Sequence, residues 1–313
     1  MHIQHIRECR ARFRPRQTRV SLAATAVAPL VLLLAALACT PRDDGAAADQ
    51  PRVVSVSKQI NEFLYAIGAE GVIVGRDLTS VYPPAIRSKT SVGYHRALSA
   101  EGITSLRPTM LLTDGNVGPD VVLQRVKDVG IPVLVLRPGA GVDSAQMLMA
   151  RLGREFHHEH EADSVIALWR AGMSQVEADS ARWASAPHPR VLMMHFGQIV
   201  NDYLAIRSGG TADRILRWAG GVNAVDSLGG MMRLNPEAIA RLAPDIIIAT
   251  DVGFDRLGSV DRFAELPGVA LTPAGRDHRI YRVDETEIMY FGPRTPAAVE
   301  HLAQLIHDGT PTS

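Results

Sequence analysis

The sequence predicts an α/β protein of two lobes joined by one long connector helix, and three patterns support this prediction. From residue 53 onward, short apolar segments alternate with helical ones, which is typical of mostly parallel sheets flanked by helices. A weak internal repeat relates residues 98–112 to residues 234–249, as expected for two similar lobes. Between the two copies, residues 144–184 have a helical period and contain no proline, which indicates a rigid connector.

The first lobe is predicted to occupy residues 52–141. Its opening segment, residues 53–56, is strand-like in composition. Residues 61–67 have helical spacing, and Gly68 predicts the end of that helix, because glycine tolerates the conformation that ends helices. Residues 72–74 then predict the next strand, which completes a βαβ unit.

The connector and the second lobe follow along the chain. The connector helix is predicted over residues 142–186, and the second lobe over residues 187–309. That lobe begins with an apolar strand at residues 190–194, and His195 comes directly after it. Because α/β proteins bind ligands at strand ends, His195 is predicted to face the cleft between the lobes.

Each copy of the repeat starts a short helix with a capping residue and an acid in the first turn. Ser99 precedes Glu101 in the first copy, and Asn235 precedes Glu237 in the second. Ser and Asn side chains satisfy free amide groups at a helix start, and an acid there complements the helix dipole. Capping alone explains one glutamate, whereas two equivalent glutamates indicate a second, shared role.

Composition sets the size class and excludes one group of ligands. The chain has 313 residues, of which 46% are hydrophobic, so it can bury a core large enough for two domains. Its formal net charge is zero, which provides no general electrostatic attraction for nucleic acid or anionic lipid. No nucleic-acid partner is therefore expected.

The N-terminus has the organisation of an export signal. Several arginines precede an apolar run at residues 22–38, which is slightly short for a membrane span of about twenty residues. Cys39 stands where a lipoprotein signal places the residue that becomes the lipidated N-terminus. Residues 1–39 are therefore predicted to be an export or lipoprotein signal, and residues 40–51 a flexible tether.

Two alternatives to lipidation are cleavage nearby by an ordinary signal peptidase and an uncleaved anchor. In each case the body of the protein is expected to be periplasmic or otherwise extracytoplasmic. Because Cys9 lies within the signal, the exported part has no cysteine pair, so it cannot hold an internal disulfide or a cysteine-ligated zinc ion.

Tyr82 lies in the most informative motif of the chain. Pro83 and Pro84 lack backbone N–H donors and favour an extended conformation at Tyr82, so the phenol is predicted to project from a stiff loop. An ionised phenol is a hard oxygen donor and a known ligand of haem iron, and a guanidinium from Arg87 or Arg96 would favour the ionised form. The alternative is a tyrosine that only closes a proline-rich turn.

Together these motifs resemble the haem-binding substrate-binding proteins of bacterial ABC importers, relatives of the vitamin B12 and ferric-siderophore carriers. The resemblance covers about residues 53–306 and rests on segments 82–83, 92–94, 96–102, 219–225, 234–237, 266–268, 271–275 and 291–294. It implies a class III periplasmic-binding-protein fold, with Tyr82 as ligand of the haem iron. Haem is then the transported ligand and not a catalytic cofactor.

The resemblance also implies the partners of the protein. Glu101 and Glu237 would dock into arginines of a permease dimer. A lipid anchor at Cys39 would hold the protein at the membrane. The protein would then capture haem in the cleft between its lobes and deliver it to the permease for import.

Two histidines compete for the second position on the haem. His195 and His95 are each candidates for a second iron ligand or a propionate contact, and the alternative for both is a histidine bonded within a loop. Haem also needs apolar walls, and cations or donors for its propionates. Candidates for these roles are Arg87, Arg96, Tyr203, Met231, Met232, Arg233, Met289, Tyr290 and Arg294.

Two other functions remain open at this point. A corrinoid (vitamin B12) or ferric-siderophore binding protein would share the tyrosine–proline loop, and a haem- or metal-dependent enzyme on the same fold would need an open coordination site. The sequence contains no Gly-x-Ser-x-Gly elbow, no Walker loop and no His-Glu-x-x-His zinc helix. A binding role without catalysis is therefore predicted.

Overall fold

The first sheet follows from the alternation of apolar strands and helices that begins at Val53. The computed structural model describes residues 51–139, 141–183, 185, 188–196 and 203–309. The elements of the N-terminal lobe are β1 (Val53–Val56), α1 (Lys58–Ala66), β2 (Ile73–Arg76), β3 (Thr90–Ser91), α2 (Ala100–Thr104), β4 (Met110–Thr113), α3 (Asp120–Asp128) and β5 (Val133–Val135). Short 3-10 turns span Glu70–Val72 and Pro84–Ser88.

The N-terminal sheet is parallel throughout, in the order β3-β2-β1-β4-β5. The chain fills one side of β1 first and then crosses to the other side, so the strand order reverses between β1 and β4. Such a switch point opens a crevice at the carboxyl ends of the strands, where α/β proteins bind ligands. Ser57 lies there, after β1, and its hydroxyl donates a hydrogen bond to Asp114, after β4, at 2.8 Å.

Helix α1 packs one apolar face on this sheet. Ser57 caps the helix by accepting a hydrogen bond from the backbone N–H of Ile60. Ile60, Phe63 and Leu64 are fully buried, as their spacing along one face requires. Full burial of each such side chain contributes about 1.5–3 kcal/mol.

The stretch predicted as one helix over residues 142–186 is two helices, so that part of the prediction is wrong. Helix α4 (Asp143–Phe156) ends at His157, whose φ of 59° and ψ of 40° are left-handed. Helix α5 (Glu159–Trp183) then runs for 25 residues, about 38 Å at 1.5 Å per residue, and is the long connector. A left-handed residue breaks the helical hydrogen-bond ladder, and nothing in the apolar spacing revealed it.

The C-terminal lobe contains the second sheet. Its elements are β6 (Arg190–Phe196), β7 (Tyr203–Ile206), α6 (Thr211–Trp218), β8 (Val222–Asn223), β9 (Met231–Leu234), α7 (Pro236–Leu242), β10 (Ile246–Thr250), α8 (Asp251–Leu257), α9 (Val260–Ala264), α10 (Pro273–Arg276), β11 (Ile280–Val283), α11 (Glu285–Ile288) and α12 (Thr295–His307). A 3-10 turn spans Val269–Leu271.

This sheet has the order β11-β10-β6-β7-β9, and β8 pairs with β6. Strand β7 is antiparallel to its neighbours β6 and β9, and the other pairings are parallel. Two mostly parallel sheets flanked by helices confirm the predicted fold class.

The apolar core links the two lobes. One face of each sheet packs into a cluster of its own, around Leu111 in the N-terminal lobe and around Ile247 in the C-terminal lobe. The opposite faces share a third cluster with α1, α4, α5 and α12, to which Phe63 and Trp169 belong. The described residues thus lie within one compact unit, because this shared core fixes the lobes against each other.

The predicted signal, Cys39 and most of the predicted tether lie outside the described residues, as does the predicted boundary at 186–187. Within the described ranges, no helix combines the length and the apolar composition needed to cross a membrane.

Candidate functional site

Tyr82 stands on the loop between β2 and β3, at the carboxyl edge of the N-terminal sheet. Pro83 is extended, with φ −65° and ψ 162°, and the 3-10 turn that begins at Pro84 follows it. Tyr82 is partly exposed, as expected for a side chain that closes one side of a cavity. Tyr82 therefore lies in a loop with the two prolines after it, as the sequence indicated.

A buried carboxylate supports this loop from below. Asp77 is fully buried and accepts hydrogen bonds from the backbone N–H of Thr79 at 2.9 Å and from the hydroxyls of Thr79 and Ser80. Asn61 on α1 donates to the Ser80 hydroxyl at 2.8 Å. Burial by itself raises the pKa of Asp77, but the nearby His95 ring and the hydrogen bonds from Ser80 and Thr79 outweigh it and hold the pKa below the usual range.

Arg294 of the C-terminal lobe covers the face of Tyr82. Its guanidinium carbon lies 3.5 Å from the centre of the tyrosine ring, which is cation–π geometry. The same guanidinium donates to both carboxylate oxygens of Glu62 on α1, at 3.0 and 2.9 Å. The Tyr290 hydroxyl donates to Glu62 as well, at 2.8 Å, and burial together with Glu62 raises the pKa of Tyr290 well above its usual value.

A cavity of about 390 Å³ opens beside Tyr82 between the two lobes. The N-terminal lobe contributes Thr79, Tyr82 and Arg87 to its walls. The opposite wall is acidic and contains Asp251, Asp255, Asp284 and Glu285. This places Tyr82 in the cleft that the sequence predicted.

The acidic wall is only partly neutralised. Arg282 pairs with Asp255 through two hydrogen bonds of 2.7 and 3.0 Å. Asp251 accepts the backbone N–H of Glu285 at 3.0 Å. Burial, and then the charges of Glu287 and Asp251, raise the pKa of Asp284. This side of the cavity therefore disfavours anionic groups of a ligand.

A second contact between the lobes closes the floor of the cleft. The Lys58 ammonium group lies 2.7 Å from the Glu285 carboxylate, and both side chains are largely buried. His195 contacts the Thr250 hydroxyl at 3.1 Å. Burial and the Lys58 charge lower the pKa of His195, whereas the charges of Glu285 and Asp251 raise it. Burial has the largest effect, so the pKa of His195 lies below its ordinary value. His195 is thus not among the residues that line the cavity, but it lies close enough to Asp251 and Glu285 on the cavity wall to feel their charges, and it favours its neutral form.

His95 is held within the N-terminal lobe. Its Nδ1 atom lies 3.4 Å from the Thr79 hydroxyl and 3.7 Å from the Asp77 carboxylate. It borders a small polar recess, of about 30 Å³, whose walls include Ser57, Lys58 and Asp114. His95 therefore lies at the same edge of the sheet as Tyr82 but supports its loop.

The two predicted cationic residues of the N-terminal lobe are exposed. Arg87 lines the cavity, and its Nε atom donates to the carbonyl oxygen of Val81 at 3.3 Å. Arg96 donates to the Asn116 side chain through two contacts of 3.1 and 2.8 Å. Arg87 is thus a surface cation on the cavity wall, whereas Arg96 is a surface cation whose partner Asn116 borders the small recess beside His95.

The structure does not bring the remaining predicted pocket residues to this cavity. Tyr203 is only 6% exposed and packs in the C-terminal core, where burial raises its pKa. Met231, Met232 and Arg233 lie on edge strand β9, with β7 between them and β6, so about 10 Å separates them from the strand that carries His195. Met289 packs against the shared core. The order of the strands in the sheet could not be inferred from the spacing of these residues along the sequence.

The two glutamates of the repeat occupy equivalent, exposed positions. Glu101 is in the first turn of α2 and Glu237 in the first turn of α7. Ser99 and Asn235 cap these helices as predicted, each accepting a backbone N–H. A hydrogen bond from its own backbone N–H and another from Ser99 lower the pKa of Glu101.

The sequence reasoning missed Glu62, Lys58, Glu285 and Asp77. In the described residues, no group of three or more His, Cys, Asp and Glu side chains is arranged to hold a metal ion. The walls of the cavity offer a phenol and charged groups instead.

The model of the periplasmic binding protein family matches residues 53–287, which is most of the chain. The chain belongs to this family. Among solved structures, it is similar to the periplasmic haem-binding protein RhuT from Roseiflexus sp. RS-1, with 28% identity, a TM-score of 0.76, and coverage of 83% of this chain and 98% of that one. It is also similar to the haem-binding protein BhuT in complex with two haems, with 29% identity, a TM-score of 0.74, and coverage of 82% and 98%.

Two curated relatives are similar to the chain as well. The chain is 24% identical over 263 residues to the uncharacterised ABC transporter substrate-binding lipoprotein YvrC of Bacillus subtilis, covering 83% of this chain and 81% of that protein. It is 25% identical over 259 residues to the vitamin B12-binding protein of Photorhabdus laumondii, covering 82% and 88%. These relatives are binding proteins and not enzymes, which confirms the prediction of a binding role. This family member is an extracytoplasmic substrate-binding protein of an ABC importer.

Proposed function

We propose that this binding protein captures ferric haem in the cavity between its lobes, with Tyr82 as ligand of the haem iron, and delivers it to an ABC permease. The observation that carries the proposal is the position of Tyr82 on the cavity wall, with the Arg294 guanidinium 3.5 Å from its ring. Tyrosine is an established haem ligand. The similarity of 28–29% to RhuT and BhuT, which bind haem, supports the same ligand.

The charge distribution of the cleft sets the orientation of the haem. Its two propionates are anionic, and the acidic wall around Asp251 and Asp284 repels them. Arg87 lines the cavity on the N-terminal side and Arg96 is exposed on the same lobe, so both attract them. The propionates therefore point toward these arginines, away from the acidic wall.

His195 is the better of the two candidates for the second axial position. Its lowered pKa keeps the imidazole neutral near pH 7, and a neutral ring nitrogen can bind iron. Each ring contacts a threonine hydroxyl, but of the two only His95 also lies close to the buried Asp77 carboxylate. We assign His95 to support of the Tyr82 loop.

A corrinoid or ferric-siderophore ligand is the second candidate. The vitamin B12-binding relatives favour it, at 25% identity for the Photorhabdus protein. A corrin brings its own axial ligands, so it does not require a protein phenol on the metal. Loss of Tyr82 should therefore weaken corrinoid binding far less than haem binding.

Glu101 and Glu237 are the proposed docking residues for the permease dimer. Both are exposed and occupy the same position in the two lobes, so together they present two acidic points to a two-fold partner. Charge reversal to Lys at both positions should reduce haem import while leaving haemin titration of the purified protein unchanged. Glu177→Lys, on the exposed surface of α5, is the matched control. Lipidation at Cys39 would keep the protein near the permease.

The deciding experiment is titration of the purified protein with haemin, followed by its visible spectrum. Wild type and Tyr65→Phe, a control on α1 outside the cavity, should give the same saturable ferric spectrum. Tyr82→Phe should lose that spectrum and bind haemin at least about 100-fold more weakly, since it removes the metal–oxygen bond. If cyanocobalamin binds saturably and haemin is taken up only nonspecifically, the proposed ligand is a corrinoid and not haem.

A further inference from the structure

We infer that Glu62, a buried carboxylate of the N-terminal lobe, is a positioning residue that holds the Arg294 guanidinium of the C-terminal lobe against the Tyr82 ring. This inference rests on the proposed capture of haem through Tyr82. It assigns to that site a residue that does not line the cavity, and it removes Arg294 from the set of proposed propionate contacts.

Glu62 lies in the middle of α1 and is only 3% exposed. A carboxylate at such a position is strongly disfavoured unless its charge is paired and its oxygens are hydrogen-bonded. Three hydrogen bonds, of 2.8 to 3.0 Å, meet this requirement. Their donors, Tyr290 and Arg294, both come from the segment between α11 and α12. The carboxylate of one lobe therefore organises a loop of the other.

The guanidinium of Arg294 uses its edge and its face for different partners. Its Nε and Nη2 atoms donate to Glu62, and Nη2 also donates to the Thr286 hydroxyl at 2.9 Å. Its Nη1 atom lies 3.6 Å from the Glu287 carboxylate. Because the group is planar, these edge contacts fix the orientation of its face, which lies on Tyr82.

This arrangement gives Arg294 a role distinct from that of Arg87 and Arg96. The donors of Arg294 are committed to protein oxygens, so they are not directed at propionates. Its positive face restrains the Tyr82 ring and stabilises negative charge that develops on the phenol oxygen when it binds Fe(III). The orientation of that face depends on Glu62.

Other contacts hold the lobes together when Glu62 is changed. Gln59 donates to the carbonyl oxygen of Phe291, and Trp169 donates to that of Gly292, each at 2.9 Å. Lys58 and Glu285 form the ion pair at the cleft floor. Loss of the Glu62 charge should therefore leave Arg294 with Thr286 and Glu287 as its edge partners and turn its face from Tyr82, while the loop that carries it stays in place.

The test compares the purified wild type with Glu62→Gln, Arg294→Gln and the double variant. The double variant removes both charges of the pair, so it leaves neither of them buried without a partner. Glu177→Gln, on the exposed surface of α5, is the control. Glu62→Gln should weaken haemin binding about ten-fold or more. At saturating haemin it should also shift the tyrosinate-to-iron charge-transfer band, which a purely structural role would not change. Because Glu62 acts through Arg294, the double variant should match Arg294→Gln in both measurements.

Wild-type affinity and an unshifted band in folded Glu62→Gln would overturn the inference. If Glu62→Gln does not fold, the double variant is compared with Arg294→Gln instead. Equal haemin affinity and an equal band position in these two variants would support the inference, and a difference between them would overturn it. A second readout needs no ligand: in NMR spectra of protein labelled with ¹³C-tyrosine, the Tyr82 ring signal should move in Glu62→Gln and not in Glu177→Gln. Should wild type fail to bind haemin while this signal moves, the positioning contact stands and the proposed haem function fails.

Discussion

Replacement of Asp77 by Asn tests whether the buried carboxylate under the Tyr82 loop sets both the stability and the ligand geometry of the site. The substitution keeps the shape of the side chain but removes its charge and one acceptor oxygen. Asp77 accepts three hydrogen bonds in the structure, two from Thr79 and one from Ser80. The Ser80 hydroxyl accepts from Asn61 and donates its only proton to Asp77, so that proton loses its acceptor if the new amide NH₂ group faces Ser80.

The expected loss of stability follows from these contacts. One hydrogen bond to a charged acceptor is lost, at about 1.5–3 kcal/mol, and the other two weaken by about 1 kcal/mol each when the acceptor becomes neutral. Burial of a neutral amide instead of a carboxylate offsets part of this. We therefore expect the free energy of unfolding to fall by about 2–4 kcal/mol, a large share of the 5–15 kcal/mol typical of a folded protein.

The assay is urea unfolding at pH 7, with Asp163→Asn on the exposed surface of α5 as control. The Asp77 variant should unfold at a lower urea concentration and bind haemin more weakly, because the loop that presents Tyr82 has lost its support. The reasoning is refuted if the variant keeps the wild-type unfolding midpoint and the wild-type haemin affinity.

The same carboxylate predicts a pH dependence. Its pKa in the folded protein lies below the unfolded value of about 3.9, so the folded state favours the charged form. The stabilisation is therefore fully present above about pH 4 and is lost as the pH falls through the folded-state pKa. The stability difference between wild type and Asp77→Asn should shrink below about pH 4, and a constant difference down to pH 2.5 would contradict this assignment.

Three further outcomes are expected. Lys58→Met should raise the pKa of His195 in an NMR titration, because the Lys58 cation opposes protonation of that ring; an unchanged pKa would argue against their proximity. Gly268→Ala should lower the melting temperature, since Gly268 has a φ of 87° and an added Cβ would lie 2.7 Å from the Cα of Pro236. An unchanged melting temperature would mean that α7 can shift to make room for the Cβ. Phe63→Ala should cost about 3–5 kcal/mol in urea unfolding by opening a cavity in the shared core, and a loss below 1 kcal/mol would show that the core collapses around it.

Local chemistry explains what could be predicted from the sequence. Proline geometry at Pro83 and Pro84 determines how Tyr82 is presented, and those constraints act within a few residues. Ser99 and Asn235 cap their helices through neighbouring amide groups, so the equivalence of Glu101 and Glu237 was visible in the repeat. The βαβ unit at the start of the first lobe and the strand that begins the second lobe followed from apolar spacing in the same way.

Glu62 shows why part of the site was not predictable. It lies on the face of α1 opposite Ile60 and Phe63, where the helical period predicts a solvent-exposed residue. It is buried only because the C-terminal lobe covers that face, and Arg294, its partner, is 232 residues away in the chain. No local pattern links the two.

The methionines of β9 show the opposite error. Met231 and Met232 are apolar and close in sequence to predicted cleft loops, which made them reasonable as walls for a haem. Strand order then placed them at the sheet edge, with β7 between them and β6.

Sequence by itself determined the two-lobed α/β class and the tyrosine that projects from a proline-stiffened loop, because both depend on short-range geometry. Only the tertiary structure decided which charges surround that tyrosine, because contacts between the lobes join residues whose separation along the chain carries no signal.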